Sequence, residues 1–310
     1  MAFLSEELTY PSADGKSEVF ARVWQDDTVR PAFILQICHG MCEYFGRYDS
    51  FARFMAGHGF IVCGNDHLGH GGSAPSPEHY GFFAETDGHL HLVEDVHTLT
   101  RRMQAEHPGL PVILLGHSMG SAIARLTAAR YAASYAGAVF SGTPVQKLPR
   151  LSRILIAQQV KKHGPRGHSQ LLVNLSMGSF NKRFSAEGSK NAWLSRDKAV
   201  VTAYDEDPRC TFTFSTSAYR DLLHMVSRAA SPAWPKALPR EFPVLVASGA
   251  MDPCGNFGKG VKKVFSYMQD CGMTHISLKL YPGARQEILN ETNRDEVYAD
   301  MLAWCESLLA

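Results

Sequence analysis

The feature that most constrains the fold is a regular alternation of short apolar runs with amphipathic segments. The apolar runs are AFILQICHG, FIVCGND, PVILLGHS, AGAVFSGTPV, FPVLVASGAMDP and HISLKLYPG. Strands that are apolar on both faces are typical of a parallel sheet buried between two layers of helices. The sequence therefore predicts an α/β fold with a mostly parallel central sheet and helices on both faces. Residues 7–25 are expected to form a hairpin with its turn at Asp14-Gly15.

The alternation stops between residues 146 and 240, where helical and polar stretches replace the strands. This pattern predicts a core built from residues 1–145 and 241–310, interrupted by a helical cap insertion at residues 146–240. Insertions of this length are usually functional and often cover a site as a lid. Its apolar residues either line an acyl channel or attach the cap to the core; they are Leu171, Leu172, Leu175, Met177, Phe180 and Trp193.

Composition narrows the class of protein. The 310 residues carry a net charge of +1, which gives no general reason to expect nucleic acid or anionic membrane as a partner. The basic stretch KKHGPRGH is interpreted as a solvated loop because salt screens so short a run, although a weak contact of the cap with a lipid surface stays open. Seven cysteines without a CxxC pair favour a reducing compartment. With no secretory pattern and no membrane-spanning stretch, the chain is expected to be cytoplasmic.

The predicted chemistry centres on the G-x-S-x-G motif Gly116-His117-Ser118-Met119-Gly120, which lies between a predicted strand and a predicted helix. The nucleophile of such a motif occupies a sharp, strained turn, and the glycines let the strand and the helix approach each other. Ser118 would then lie at a helix N-terminus, where the N–H of Met119 can stabilise an oxyanion. Ser118 is therefore the predicted nucleophile.

Two further parts of a hydrolytic site are expected at the ends of other strands. The loop CHGMCEYFGRY follows the first buried strand, and the N–H of Met41 in it is the predicted second oxyanion donor. Asp252 follows the strand after the insertion, at the carboxyl end of the sheet where ligands bind in open α/β folds. In the chain order Ser, acid, His, this residue is the acid that orients the base. Taken alone, Asp252 is equally compatible with capping the next helix.

The third position of the site is occupied by an unexpected residue. The stretch YPGARQEILNE follows the last strand, and the side chain best placed there for catalysis is Gln286. A glutamine cannot take the proton of a serine and return it to a leaving group. The other histidines are assigned elsewhere: His39 and His117 beside the site, His67 and His70 as structural residues after a strand, and His89, His91 and His97 on the surface of a helix.

Together the motifs resemble the α/β-hydrolase superfamily, and within it the lysophospholipase and monoacylglycerol lipase-like branch. The stretches that carry the resemblance are HGMCEYFGRYDSFARFMAGHGFIVCGNDHLGHGGS, GLPVILLGHSMGS, WLSRD, DPCGNFGKGV and YPGARQEILNETNRDEVYADMLAWC. The resemblance covers nearly the whole chain. It implies a serine ester hydrolase with an acyl-binding cleft under a helical cap, acting on monoacylglycerols, lysophospholipids or other small acyl esters. Neither a cofactor nor a metal is expected.

The resemblance also assigns roles to individual residues. It implies that Ser118 is the nucleophile, Asp252 the triad acid, and Met41 and Met119 the oxyanion donors. The catalytic histidine of the family falls on Gln286, where this chain departs from the pattern. Loss of the triad base costs on the order of a million-fold in kcat, so the chain as written is expected to be severely impaired.

Three explanations of Gln286 remain open. In the first, an active hydrolase has been inactivated so that it captures a ligand without turnover. In the second, a natural relative has lost its base and now only binds ligands. In the third, the glutamine positions a water or a substrate group for a different reaction. Because Ser118, Asp252 and both flanks of position 286 keep the catalytic pattern, the first explanation is favoured.

Overall fold

One eight-stranded sheet organises the computed structural model, which describes residues 3–145 and 149–308. The strands are Phe3–Pro11 (β1), Glu18–Asp26 (β2), Phe33–Cys38 (β3), Phe60–Asn65 (β4), Val112–His117 (β5), Gly137–Ser141 (β6), Val244–Gly249 (β7) and Ile276–Tyr281 (β8). The helices are Asp49–Ala56 (α1), Gly88–Glu106 (α2), Met119–Arg130 (α3), Arg150–His163 (α4), Gln170–Met177 (α5), Lys198–Glu206 (α6), Thr216–Ala229 (α7), Lys259–Asp270 (α8) and Arg294–Glu306 (α9).

The order of the strands confirms the predicted mostly parallel sheet. Across the sheet the order is β1-β2-β4-β3-β5-β6-β7-β8. The first two strands form the predicted antiparallel hairpin, and β2 also runs antiparallel to β4. Every pairing from β4 to β8 is parallel. As a result, the loops that follow β3, β5, β7 and β8 all leave the sheet at the same end, where the carboxyl ends of these strands lie.

Helices cover both faces of the sheet, as predicted. On one face α1 and α9 bury residues such as Phe51 and Met301 against the strands. On the other face α2, α3, α7 and α8 contribute residues such as Ile123 and Val264 to a second core. The last strand, β8, departs from the apolar pattern, because its residues alternate between half-buried and exposed up to the buried Tyr281. β8 is the last strand at one edge of the sheet, and one of its faces can contact water without a cover of apolar side chains.

The segment between β6 and β7 contains helices α4 to α7 and short 3₁₀ turns, with no strand among its described residues. The predicted first residue of the cap, 146, lies outside the described residues, and the cap boundaries stay a prediction. Helix α7 packs against α2 and α3 and thus belongs to the covering layer of the sheet as well. Among the described residues, no helix combines the length and apolarity needed to cross a bilayer.

A buried arginine on α3 holds both ends of this segment. The side chain of Arg125 is fully buried and donates to the carbonyl oxygens of Pro144, at 3.1 Å, and of Ala229, at 2.7 Å. Pro144 lies shortly after β6, whereas Ala229 is the last residue of α7. Burial lowers the pKa of the Arg125 guanidinium to about 9, so the group is still charged at neutral pH. One charged side chain therefore ties the beginning and the end of the insertion to the same helix.

Replacing this arginine tests how much the anchoring contributes to stability. We expect Arg125→Met to lower the free energy of unfolding by about 3 kcal/mol, because it leaves buried carbonyl oxygens without donors. Chemical denaturation measures the change. The matched control is Arg130→Met on the same helix, whose side chain is 54% exposed and paired with Glu94. This control should cost no more than about 1 kcal/mol, and equal losses for the two variants would contradict the anchoring role.

Candidate active site

The backbone turn at Ser118 is the geometric centre of the site. Ser118 joins β5 to α3 with φ 53° and ψ −118°. Residues other than glycine rarely adopt a backbone conformation with a positive φ. The turn stays in place because the backbones around it are in close contact. A Cβ atom on Gly120 would collide with the carbonyl oxygens of Cys38 and His39 on β3 and its loop. One on Gly116 would lie 2.6 Å from the Cβ of Ala124.

The two residues predicted to supply the oxyanion N–H groups lie in the same cavity as this serine. Met41 follows β3 and Met119 begins α3, and both residues line one cavity together with Ser118. The N–H of the neighbouring Gly40 is not free to bind an oxyanion, because it donates a hydrogen bond to the carboxylate of Glu43. The N–H of Met41 stays the predicted second donor to an oxyanion.

A buried ionic cluster fixes this loop, and the sequence analysis did not identify it. Glu43, which is 3% exposed, also accepts from the Tyr48 hydroxyl at 2.9 Å and from Arg47 at 2.8 Å. Arg47 in turn binds both carboxylate oxygens of Glu287 at 2.7 Å. Burial alone would raise the pKa of Glu287, but Arg47 lowers it below its usual value. The i, i+4 spacing of Glu43 and Arg47 was the available signal in the sequence.

Gln286 lies at the site, where it contacts a histidine. The residue is 2% exposed, lines the same cavity as Ser118, and places its Oε1 3.0 Å from Nε2 of His117. A carboxamide oxygen only accepts hydrogen bonds, so His117 Nε2 carries the hydrogen. The other ring nitrogen of His117 lies 3.3 Å from the Ser141 hydroxyl. His117 is thus occupied by two neighbours, in line with its predicted hydrogen-bonding role.

Asp252 is fully buried in the loop that follows β7. Its carboxylate accepts hydrogen bonds from the N–H of Cys254 at 2.8 Å and from the Ser248 hydroxyl at 3.1 Å. Among the described residues, no hydrogen bond joins it to Gln286. Burial raises the pKa of the Asp252 carboxyl to about 7, and its hydrogen bonds only partly oppose this. The acid of the predicted triad is therefore present without a cationic partner.

The cap supplies the apolar wall of the cavity, whose volume is about 330 Å³. This volume is within the range of small-molecule pockets. The residues from the insertion that line it include Leu175, Met177, Phe180, Trp193, Leu222 and Val226. Four of the six apolar residues proposed from the sequence are among them. The other two are elsewhere: Leu172 is buried in the core, and Leu171 is 45% exposed.

The remaining histidines lie away from position 286. His39, His67 and His70 are buried and in mutual ring contact, as expected of structural residues. The prediction that His89 is a surface residue is wrong, because α7 covers it and its Nδ1 lies 3.4 Å from an oxygen of Asp221. Among the residues described, no group of three or more cysteine, histidine or acidic side chains is arranged as metal ligands.

With this geometry in place, comparisons with known proteins identify the family. The model of the serine aminopeptidase S33 family of hydrolases matches residues 30–293. The chain belongs to this family. Monoglyceride lipase of Homo sapiens is 31% identical to it, with 94% of this chain and 88% of the relative covered. Monoacylglycerol lipase of Mycolicibacterium smegmatis is 30% identical, with 93% and 92% covered.

Solved structures agree with these relatives. A thermostable carboxyl esterase from Bacillus coagulans, determined with glycerol, superposes with a TM-score of 0.91 at 30% identity over the whole of both chains. A monoglyceride lipase from Saccharomyces cerevisiae gives a TM-score of 0.76 at 20% identity, covering 97% of this chain and 94% of that one, which shows a shared fold. The α/β-hydrolase fold and the monoacylglycerol lipase-like resemblance are confirmed. The family supports the hydrolysis of carboxylic esters.

The unpaired acid leads to a prediction about stability and pH. The pKa of Asp252 is about 7 in the folded chain and about 3.9 in unfolded peptides, so the folded state binds more protons between these values. The fold therefore loses stability as the pH rises from about 4 to about 7, and above pH 7 the ionised carboxylate carries the full penalty. We expect Asp252→Asn to raise the free energy of unfolding by roughly 2–4 kcal/mol at pH 8.5 and by much less at pH 5.

Thermal unfolding at the two pH values measures this difference. The asparagine can still accept from Cys254 and donate to the Ser248 hydroxyl, so the packing is preserved. The exposed Asp270→Asn serves as a control and should change stability equally little at both pH values. A stabilisation by Asp252→Asn that is the same at pH 5 and pH 8.5 would contradict the proposed cause.

Proposed function

We propose that this chain is a serine hydrolase scaffold for carboxylic esters of small acylated substrates, such as a monoacylglycerol or a lysophospholipid. The observation that carries the proposal is the strained turn at Ser118, which opens into an apolar cavity that Met41 and Met119 also line. Acyl transfer requires this arrangement of nucleophile and oxyanion donors. The relatives named monoglyceride lipase support the choice of substrate class.

In the proposed reaction each residue has a defined role. The Ser118 oxygen attacks the ester carbonyl, and the N–H groups of Met41 and Met119 stabilise the resulting oxyanion. The alcohol leaves, an acyl-Ser118 intermediate remains, and water releases the carboxylic acid. A histidine at position 286 would take the serine proton and give it to the alcohol, while Asp252 stabilises the imidazolium. Residues of the cap hold the acyl chain throughout.

Gln286 interrupts this sequence at the proton transfer. The glutamine is bound to His117, and neither group is arranged to carry a proton between Ser118 and a leaving alcohol. We therefore infer that the chain as written is severely impaired. We also infer a cytoplasmic location, which the seven free cysteines support. If the protein contacts a lipid surface, we infer that the cap and not the core makes this contact.

A second candidate function is a ligand-binding protein on the hydrolase fold. The observation in its favour is that the cavity is fully built although the base is absent, and that Gln286 is buried and hydrogen-bonded. Such a chain would hold an acylated ligand and not cleave it. A chain with this glutamine would bind without cleaving whether the glutamine is engineered or natural.

Restoring the histidine separates the two functions. We expect Gln286→His to raise the turnover of a short acyl ester by at least a thousand-fold, since the triad base is worth on the order of a million-fold in serine hydrolases. Release of a chromophoric alcohol measures the rate. Gln286→Asn is the matched control, because it also alters position 286 but supplies no base, and it should give no gain.

The double variant Gln286→His with Ser118→Ala should lose the gained activity, since it has a base but no nucleophile. If the histidine variant stays inert towards acyl esters, thioesters and amides, the hydrolase proposal is wrong. Tight binding of a monoacylglycerol by the chain as written, together with an inert histidine variant, would support the binding protein instead.

A further inference from the structure

Two segments that lie far apart in the sequence meet beside the active site. Residues 285–291, the 286 loop, follow β8 and include position 286. Residues 187–196, the cap segment, lie between α5 and α6 within the insertion. Apart from a short 3₁₀ turn at Ile288–Asn290, the 286 loop has no regular structure, so its conformation depends on the groups that it contacts.

Arg285 extends from the 286 loop to the cap segment. Its side chain is buried and donates to both carboxylate oxygens of Glu187. It also donates to the carbonyl oxygens of Ala192, at 2.5 Å, and of Ser195, at 3.1 Å. A guanidinium carries its five N–H donors in a fixed planar arrangement, so these bonds define the direction of the side chain. The residue next to Gln286 is therefore held by the cap.

A second ion pair joins the two segments in the opposite direction. Arg196 of the cap segment donates from Nε to the carboxylate of Glu291 at 2.9 Å, and this carboxylate is fully buried. The other oxygen of Glu291 accepts from the backbone N–H of Arg285 at 2.7 Å and of Arg196 at 3.2 Å. A buried carboxylate is stable only with such donors, so Glu291 holds the loop closed and the cap segment against it.

Contacts through the backbone complete the connection. The N–H of Glu287 donates to the carbonyl oxygen of Leu194 at 2.8 Å. The Ser195 hydroxyl donates to the carbonyl oxygen of Asn290 at 2.9 Å. Leu194 also lines the substrate cavity together with Gln286. The residues on both sides of position 286 are therefore bonded to the cap.

The location of these contacts favours a role in geometry over a role in stability. A buried ion pair adds little net stability, because the cost of removing two charges from water offsets most of their attraction. The two ion pairs nevertheless lie on either side of position 286, at Arg285 and at Glu291. An outward movement of the cap segment would pull the 286 loop along and change the distance between position 286 and Ser118.

We propose that the cap segment is a positioning element for position 286, with Arg196 as its main positioning residue because its partner Glu291 is fully buried. The segment keeps the 286 loop in the conformation that directs the side chain at position 286 into the cavity shared with Ser118. With a histidine there, loss of the connection would slow the proton transfer and leave the binding of the acyl group intact. The catalytic consequence rests on the proposed function, whereas the mechanical connection requires no catalysis.

Hydrogen exchange tests the connection on the chain as written. The backbone amides of Arg285 and Glu287 are both bonded within this contact, and mass spectrometry of peptides that cover residues 284–291 measures their exchange with deuterium. We expect Arg196→Met to accelerate this exchange roughly ten-fold, since it removes a hydrogen bond between charged groups. Arg196→Lys keeps the positive charge beside Glu291 and should restore most of the protection.

Two further variants make the test specific. Arg294 also joins the core to the cap, because it pairs with Asp197 at 3.4 Å. Its side chain is 46% exposed and, among the described residues, bonds to none of the 286 loop. Arg294→Met is therefore the matched control and should leave the exchange of the loop unchanged. Glu187→Gln weakens the other ion pair at a partly exposed position, and it should accelerate the exchange even if Arg196→Met does not fold.

Kinetics in the Gln286→His background test the consequence for the reaction. We expect Arg196→Met to lower kcat for a short acyl ester roughly ten- to hundred-fold with little change in KM, because displacement of a catalytic group by about 1 Å costs on the order of a hundred-fold. Arg196→Lys should recover most of the rate, and Arg294→Met should retain all of it. Assays well below the thermal unfolding midpoint of each variant exclude a loss of folded enzyme as the cause.

Several results would overturn the proposal. Unchanged exchange of the 286 loop in both Arg196→Met and Glu187→Gln would show that the cap segment does not hold it. Equal effects of Arg196→Met and Arg294→Met would show that the contact is not specific to this segment. A rise in KM at unchanged kcat would assign the segment to substrate binding instead. Failure of the proposed function looks different, because the differences in exchange would persist while Gln286→His gave no turnover.

Discussion

The close approach of two backbones at the nucleophile turn is the constraint on which the rest of the site depends. Because α3 begins in contact with the carbonyl oxygens at the end of β3, only a glycine fits at position 120. This contact fixes Ser118 in its left-handed conformation and brings the loop after β3 beside it. Met41, Met119 and Gln286 line the cavity around this serine, and Asp252 follows a strand that ends on the same side of the sheet.

The buried carboxylates of Asp252 and Glu287 differ in how their charge is compensated. A buried carboxylate is tolerated in a triad because an imidazolium forms beside it during the reaction. The amide oxygen of Gln286 is bound to His117, and Asp252 forms no ion pair with any residue that the structure describes. The nearby Glu287 shows the contrast, since Arg47 compensates its burial and lowers its pKa. The departure at one position thus changes the charge balance of the whole site.

Much of the fold and the site could be predicted from the sequence because both rest on local patterns. Apolar strands, the motif around Ser118 and the position of Asp252 after β7 all follow from short-range rules. The partners of Gln286 and the burial of His89 could not be predicted in this way. They depend on which side chains distant segments bring together, such as α7 over α2. The edge position of β8 escaped prediction for the same reason.

Arg125 gives the cap an unusual mechanical property. Because one guanidinium binds the carbonyl oxygens of Pro144 and Ala229, the insertion is a closed loop with both ends fastened at one point. Such a loop cannot swing away as a hinged flap; it can only bow outward in its middle. A protease cut within the loop would leave both pieces attached to the core.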